Sequence, residues 1–301
     1  MLAGKIPTKL NKGDTIGIIS PSHVADANRY AGLIAVIEGC GFRVKAGRNL
    51  YKNTYGYAAS EQERADDLNA MVVDDAVRMV FFGGGYGGLE LIPLIDYEAI
   101  RRNPKLFLSY SDGTSILNAI YARTGIMTYY GQAPGSFERI RPYGLSQFMS
   151  HLAEGNPGNL VKNSKWISLY DGVSEGILMG GYLLNVALMA NTGISGAETD
   201  GKVVLFLEDH EKFSNMACVS MLLSHLEQSP WIGRISGLLF GHYSENENPQ
   251  LLDRLSRFGE KHKIPVAYCD DFGHGANQAV LPIGCRAVLD TRENRLNFHY
   301  S

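Results

Sequence analysis

Lys105-Leu-Phe-Leu-Ser-Tyr-Ser111-Asp-Gly-Thr-Ser115, followed by Ile116 to Arg123, is where the chain changes its period. A short apolar run ends at a serine, and helical spacing (Ile116, Leu117, Ile120) begins at once. A strand that turns sharply into a helix leaves the corner side chain exposed. It also aims the next backbone N–H groups at whatever that side chain attacks. Ser109-Tyr-Ser111-Asp-Gly113 departs from the G-x-S-x-G elbow only in its first residue. Serines cap helices more often than they attack carbonyls. A nucleophilic Ser111 therefore needs a base, an orienting carboxylate and an oxyanion site from elsewhere in the chain.

The elements around this corner alternate. Asp14-Thr-Ile-Gly-Ile-Ile-Ser-Pro-Ser22 reads as a buried strand entering a turn, and Ala25 to Cys40 as a helix that stops at Gly41. Phe42-Arg-Val-Lys45 is a second strand and Glu61 to Met71 a charged amphipathic helix. Arg78-Met-Val-Phe-Phe82 is a third strand, Leu89 to Ile100 a helix, and Leu106 to Leu108 a fourth strand. Strands separated by helices at this spacing make a mostly parallel sheet with helices on both faces, an α/β fold. Such a sheet binds ligands beyond the carboxyl ends of its strands, so the loops after Ile19, Phe82 and Tyr110 share one rim.

From Gly135 to Gly172 the pattern weakens and prolines and glycines accumulate, as in Arg141-Pro142 and Asn156-Pro-Gly158. Strand patterning resumes at Gly176-Ile-Leu-Met-Gly-Gly-Tyr-Leu183, Lys202-Val-Val-Leu-Phe-Leu207 and Gly237-Leu-Leu-Phe240. Pro265-Val-Ala-Tyr268 and Arg286-Ala-Val-Leu289 continue it, and Asn215 to Gln228 is the clearest helix. The expected division is an α/β domain carrying Ser111 (residues 1–135), a linker or excursion (136–172) and a C-terminal domain richer in strands (173–301).

With 301 residues, 45% apolar and 20% charged, the composition is that of an ordinary soluble protein large enough for two domains. A net charge of −3 and a pI near 6.2 give no support for a nucleic-acid or anionic-membrane partner. Cys40, Cys218, Cys269 and Cys285 are far apart and form no CxxC, which suits buried free thiols in a reducing compartment. Met1-Leu-Ala-Gly-Lys-Ile-Pro7 lacks the pattern of a secretory signal, and no apolar run approaches membrane-spanning length. The expected location is the cytoplasm.

Three further stretches supply chemistry. Gly83-Gly-Gly-Tyr-Gly-Gly88 follows a strand and has more glycines than a tight turn needs. It contains G-x-G-x-x-G (Gly83, Gly85, Gly88), yet it follows a later strand and lacks the acidic residue about 20 positions on that a dinucleotide site requires. A loop whose Gly84 or Gly85 N–H faces an oxyanion fits better. Val203-Val-Leu-Phe-Leu207 delivers Glu208-Asp209-His210-Glu211 at a strand end, and Asp271-Phe-Gly-His274-Gly-Ala-Asn277 sets a histidine between glycines. Neutral imidazole suits a general base near physiological pH. Ser111 as nucleophile, His274 as base and a buried carboxylate as orienter make an acyl-transfer set. The N–H groups of Asp112 and of Gly84 or Gly85 would hold the oxyanion. Ser109 is the rival nucleophile, placed before the corner.

At these residues the sequence resembles a known family. The collinear matches are Gly17-Ile-Ile-Ser-Pro21, Glu63-Arg64, Gly84-Gly-Tyr-Gly87, Asp96-Tyr97, Asn103-Pro-Lys105 and Tyr110-Ser111-Asp112. They continue through Gly131, Gly180-Gly181, Leu207-Glu208-Asp209 and Gly273-His274-Gly275 to Leu281-Pro-Ile-Gly284. Together they resemble the LD-carboxypeptidases, serine peptidases that trim murein peptides, and the related microcin C immunity peptidases. The resemblance implies a Ser–Glu–His triad falling on Ser111, Glu208 and His274. It also implies an N-terminal flavodoxin-like parallel-sheet domain, a C-terminal β-rich swivelling α/β domain, no cofactor and a homodimer. The implied reaction is hydrolysis of an L,D-amide through an acyl-enzyme, releasing terminal D-alanine from a murein tetrapeptide. The alternative is cleavage of an aminoacyl-nucleotide amide. Tyr86 and Tyr182 are expected to touch the substrate.

Departures from the family pattern bear on substrate preference. Ser109 and Gly113 flank the Tyr-Ser-Asp core where the family has Gly and Ile or Phe, Gly83 stands where Arg is usual, and Tyr182 where Asn is usual. Two other readings carry less. Metal hydrolysis by Glu208, His210, His242 and His274 lacks any familiar ligand spacing, and a nucleotide- or flavin-binding module would rest on Gly83 to Gly88 alone. Arg139, Arg141 and Arg234 are open as holders of a terminal carboxylate. Asp209 and Glu211 are open as substitutes for Glu208.

Overall fold

The computed structural model describes residues 4–155, 157–192 and 201–300. Met1–Ala3, at the start that lacks a signal-like pattern, and Asn156 of the Asn-Pro-Gly run lie outside the described residues. The chain begins β1 (Thr15–Ile19), α1 (Ala27–Gly39), β2 (Arg43–Ala46), α2 (Glu61–Val73) and β3 (Val77–Phe82). Local chemistry sets these boundaries. Asp26 accepts the Arg29 N–H to start α1, whose Tyr30, Leu33 and Ile37 form the buried stripe. Ser60 and Glu63 close a capping box on α2. The stretch expected as one helix over Leu89–Ile100 is in pieces: α3 (Gly88–Leu91), a 3-10 turn (Ile92–Leu94) and α4 (Tyr97–Arg102). Pro93 cannot donate within a helix, and Asp96 restarts one by accepting the Ala99 N–H.

β4 (Leu106–Ser109), α5 (Thr114–Thr124) and β5 (Thr128–Tyr130) complete the first unit. Its strands lie in the order β2-β1-β3-β4-β5, all parallel, which is the flavodoxin-like order. Then come α6 (Pro142–Phe148), β6 (Ile167–Tyr170), β7 (Val173–Tyr182), α7 (Leu183–Met189), β8 (Val203–Glu208), α8 (Met216–Glu227), β9 (Ile235–His242), α9 (Pro249–His262) and β10 (Val266–Gly273). β7 to β10 are parallel neighbours at the centre of a second sheet, with antiparallel β6 at one edge and β12 (Arg286–Asp290) and β13 (Arg295–His299) at the other. The fold is α/β throughout. The strand-heavy reading of this half missed α9, where Asn248 accepts the Gln250 and Leu251 N–H groups, Pro249 opens the helix, and Leu251, Leu255 and Phe258 make a narrow buried stripe among charges.

One strand crosses between the sheets. β11 (Leu281–Ile283) pairs antiparallel with β5, Leu281 opposite Tyr130, so chain that has just left β10 returns to the first sheet. A single apolar cluster accordingly runs from Phe82, Phe107 and Tyr130 into Phe206, Phe240 and Phe272. Cys269 and Cys285 are buried free thiols, while Cys40 and Cys218 are only half-buried. No described helix is long and apolar enough to cross a membrane.

The weakly patterned 136–172 stretch is tied to β10. Asp271 is fully buried, and its carboxylate accepts the Trp166 indole N–H at 2.7 Å and the Asn163 N–H at 2.8 Å. Burial pushes its pKa up, and these donors work against that. Asp271→Ala leaves two donors without their acceptor and is expected to destabilise the protein by about 2–4 kcal/mol in urea denaturation. A loss below about 0.5 kcal/mol, the ordinary size of a surface change, would show that the anchor is not Asp271.

Candidate active site

Ser111 opens a 3-10 turn (Ser111–Gly113) between β4 and α5, with φ of 57°. A non-glycine residue in the left-handed region is strained, and such strain persists where the surroundings impose it. Here the Ser111 N–H donates to the Tyr130 hydroxyl at 3.1 Å, and Oγ lies 3.0 Å from His274 Nε2. Gly84 makes room for the corner, since a Cβ there would come within 2.5 Å of the Ser111 Cβ. Ser109 is fully buried and donates to the Phe82 carbonyl at 2.8 Å, a link between β4 and β3. The rival hydroxyl is structural.

His274 follows β10 and Glu208 ends β8, where parallel strands of the second sheet deliver their carboxyl ends. His274 Nδ1 lies 2.7 Å from Glu208 Oε2, which also accepts the His274 backbone N–H at 3.1 Å. Glu208 Oε1 accepts the Tyr130 hydroxyl at 2.6 Å, and the carboxylate has no solvent exposure. Burial raises the Tyr130 pKa well above its ordinary value, so this phenol is a neutral donor. The rings of Tyr110, Phe213 and Tyr182 stand 4.7, 5.1 and 5.3 Å from the imidazole. They wall it on several sides with apolar surface.

The glycine run and the residue after Ser111 are locked together. Asp112 Oδ2 accepts the Gly88 N–H at 2.6 Å, and its Oδ1 accepts Asn185 Nδ2 at 2.9 Å. Gly85 packs on the Ser22 carbonyl, where a Cβ would come within 2.2 Å. Gly84 is the glycine that faces Ser111. A cavity of about 460 Å³ opens over this arrangement, lined by Ser111, His274, Gly83 to Gly85, Tyr86 and Tyr182 among others. Tyr86 is 73% exposed and forms part of its rim.

The other residues singled out from sequence fall elsewhere. Arg139 and Arg141 line a neighbouring hollow, and Arg234 donates to the Gly201 carbonyl at 3.1 Å before β9. The arginine that lines the cavity is Arg29, from α1. His242 Nδ1 pairs with Asp270 at 2.9 Å, and His210 Nδ1 accepts the Lys212 N–H at 3.1 Å. These two histidines do not turn to Glu208 and His274, and no group of three His, Cys, Asp or Glu among the described residues is arranged to hold a metal ion. Asp209 is fully buried and Glu211 exposed, and neither reaches the imidazole within hydrogen-bond distance in place of Glu208.

Tyr130 and Asn185 are the site residues that sequence reasoning missed. Tyr130 had a signal: it ends β5 directly beside Ser109 at the end of β4, on the rim where such sheets bind. Asn185 had none, because its partner Asp112 lies on another sheet's rim.

Known proteins match both halves. Residues 16–131 match the LD-carboxypeptidase N-terminal domain and residues 175–289 the LD-carboxypeptidase C-terminal domain. The probable murein peptide carboxypeptidase of Bacillus subtilis is 29% identical over 95% of this chain and 92% of its own. The microcin C7 self-immunity protein MccF of Escherichia coli is 26% identical over 92% of this chain and 91% of its own. The crystal structure of an MccF-like protein from Bacillus anthracis superposes with a TM-score of 0.88, 25% identity and 99% of both chains covered. With both domain models matched in order along most of its length, the chain belongs to the LD-carboxypeptidase family of peptidases.

Proposed function

We propose that this chain is a serine carboxypeptidase that hydrolyses an L,D-amide and releases terminal D-alanine from murein tetrapeptides. The observation that carries the reading is the continuous hydrogen-bonded path from Ser111 Oγ through His274 to Glu208 at the mouth of a cavity. In this mechanism His274 Nε2 removes the Ser111 proton as Oγ attacks the scissile carbonyl carbon. The resulting oxyanion takes N–H groups from Asp112 and Gly84. Gly84 is preferred to Gly85 because it abuts Ser111. As the C–N bond breaks, His274 returns the proton to the amine of the departing D-alanine. Water, deprotonated by the same imidazole, then hydrolyses the ester and restores the serine. Glu208 holds the imidazole in the tautomer that carries hydrogen on Nδ1 and stabilises the imidazolium between the two transfers.

A second reading has its own support, because the Escherichia coli relative is named a self-immunity protein against microcin C7. A panel setting an L,D-tetrapeptide against an aminoacyl sulfamoyl adenosine separates the two, the substrate with the higher kcat/KM naming the function. On the preferred one, Ser111→Ala is expected to lower D-alanine release by about 10⁴-fold or more. Undiminished release would sink the assignment of the nucleophile.

Tyr130→Phe removes both the donor to Glu208 and the acceptor of the Ser111 N–H. A hydrogen bond to a charged group is worth about 1.5–3 kcal/mol, so kcat should fall by about 10- to 100-fold. A kcat within twofold of wild type, with melting unchanged, would remove Tyr130 from the site.

Asp209 separates the two neighbouring acids by pH. Burial pushes its pKa up to about 7 from 3.8. Between about pH 4 and 7 the folded chain then holds one more proton than the unfolded chain, so stability falls as pH rises through that window. The full cost, on the order of 4 kcal/mol, is present above pH 7. Asp209→Asn should therefore gain stability over wild type at pH 8 but not at pH 4, while keeping its activity. An activity loss as large as that of Glu208→Gln would transfer the orienting role to Asp209.

A further inference from the structure

One group of residues lining the cavity stands apart from the Ser111–His274–Glu208–Tyr130 hydrogen bonds. His23, Arg29 and Tyr30 come from the connection after β1 and the first turn of α1, on the rim that also carries Ser111. The His23 ring packs on Gly83, its Cε1 3.0 Å from where a Cβ would sit, and Nε2 is 2.9 Å from the Tyr30 hydroxyl. Burial lowers the His23 pKa and raises that of Tyr30 to about 12, so both are neutral near pH 7. Arg29 is the one lysine or arginine among the described residues lining this cavity. Its Nη2 lies 3.4 Å from the Cβ position of Gly135, and Nε and Nη2 meet one oxygen of Glu138 at 3.0 and 2.9 Å.

We infer that Arg29 is the specificity-determining residue that receives the substrate's terminal carboxylate, an inference that rests on the carboxypeptidase reading and deepens it. An enzyme that removes one residue from a chain end must recognise what the end has and the interior lacks, and that is a free carboxylate. A guanidinium matches it with two parallel N–H donors, which an ammonium cannot do. Glu138 occupies one edge with a single oxygen. Five N–H donors on the group leave capacity for a second carboxylate. Arg29 and Glu138 are about half exposed (52% and 46%), so their pairing is worth little and can rearrange at small cost. The guanidinium already lies over Gly135 at the edge of the cavity.

The test compares release from an L,D-tetrapeptide with a free C-terminal carboxylate and from the same peptide amidated. Wild type, Arg29→Gln and Arg29→Lys are used, each also labelled with a serine-directed phosphonate that bears no carboxylate. Arg29→Gln is expected to raise KM for the free acid by about 10- to 100-fold. It should change kcat little and amide hydrolysis far less, so the preference for the acid collapses. Arg29→Lys should recover part of it, and phosphonate labelling should keep the wild-type rate. The inference is overturned if the preference survives Arg29→Gln, if Arg139→Gln or Arg141→Gln abolishes it instead, or if labelling slows in step with turnover. Should wild type release neither D-alanine from the free acid nor D-alaninamide from the amidated peptide, the carboxypeptidase reading itself has failed. Normal wild-type release with an unchanged preference in Arg29→Gln sinks the subsite alone.

Discussion

A fully buried carboxylate must be met by donors or it destabilises the fold, and Glu208 is met by three. The donors come from different places. The Tyr130 hydroxyl belongs to the first sheet, and the His274 ring and backbone N–H to the loop that leaves the second. Satisfying one side chain thus fixes how the rims of the two sheets face each other. The same Tyr130 oxygen accepts the Ser111 N–H. Four residues therefore close a ring in which each hydrogen bond sets the geometry of the next. The strained φ of Ser111 is held inside that ring, between a hydroxyl on its backbone and an imidazole on its side chain.

Chain path reinforces the ring. His274 lies between β10, in the second sheet, and β11, which pairs with β5 in the first. Leu281 is opposite Tyr130, so the strand that anchors the histidine loop is hydrogen-bonded to the strand that carries the phenol. Separating the sheets would pull on the loop from both ends. The apolar cluster shared by Tyr130, Phe206 and Phe272 resists that separation at the same place. Ser111 and His274 are about 160 residues apart in sequence. They are joined in space by a strand exchange and not by a flexible tether.

Much of this was legible in the sequence, for reasons that differ by residue. The strand-to-helix corner at Ser111, the glycine run and the positions of Glu208 and His274 are local signals: a change of period, an excess of glycine, a polar residue closing an apolar run. The period-based strands β1 to β4 and helices α1 and α2 came through for the same reason. Leu89–Ile100 did not, because a hydrophobic pattern continues across Pro93 while the hydrogen bonds cannot. Helix α9 was hidden by its charge content, although Leu251, Leu255 and Phe258 keep helical spacing. Asn185 and Arg29 meet partners on other elements, Asp112 and Glu138. No spacing within one sequence records such a pairing.

Glu208-Asp209-His210-Glu211 shows what a cluster of acids means once it is folded. In sequence a count of charges treats the three carboxyls alike, and only the place of Glu208 directly after the apolar run sets it apart. The strand separates them, because successive side chains leave an extended chain on opposite sides. Glu208 turns to Tyr130 and His274 and has donors for both oxygens. Asp209, its neighbour, is equally buried, and its Oδ1 accepts the His210 N–H at 2.7 Å. The His210 N–H and the Ser214 side chain do not offset burial, and the pKa rises to about 7. What sets Glu208 apart from Asp209 is the supply of donors from two sheets. The position in the strand decides which acid receives them.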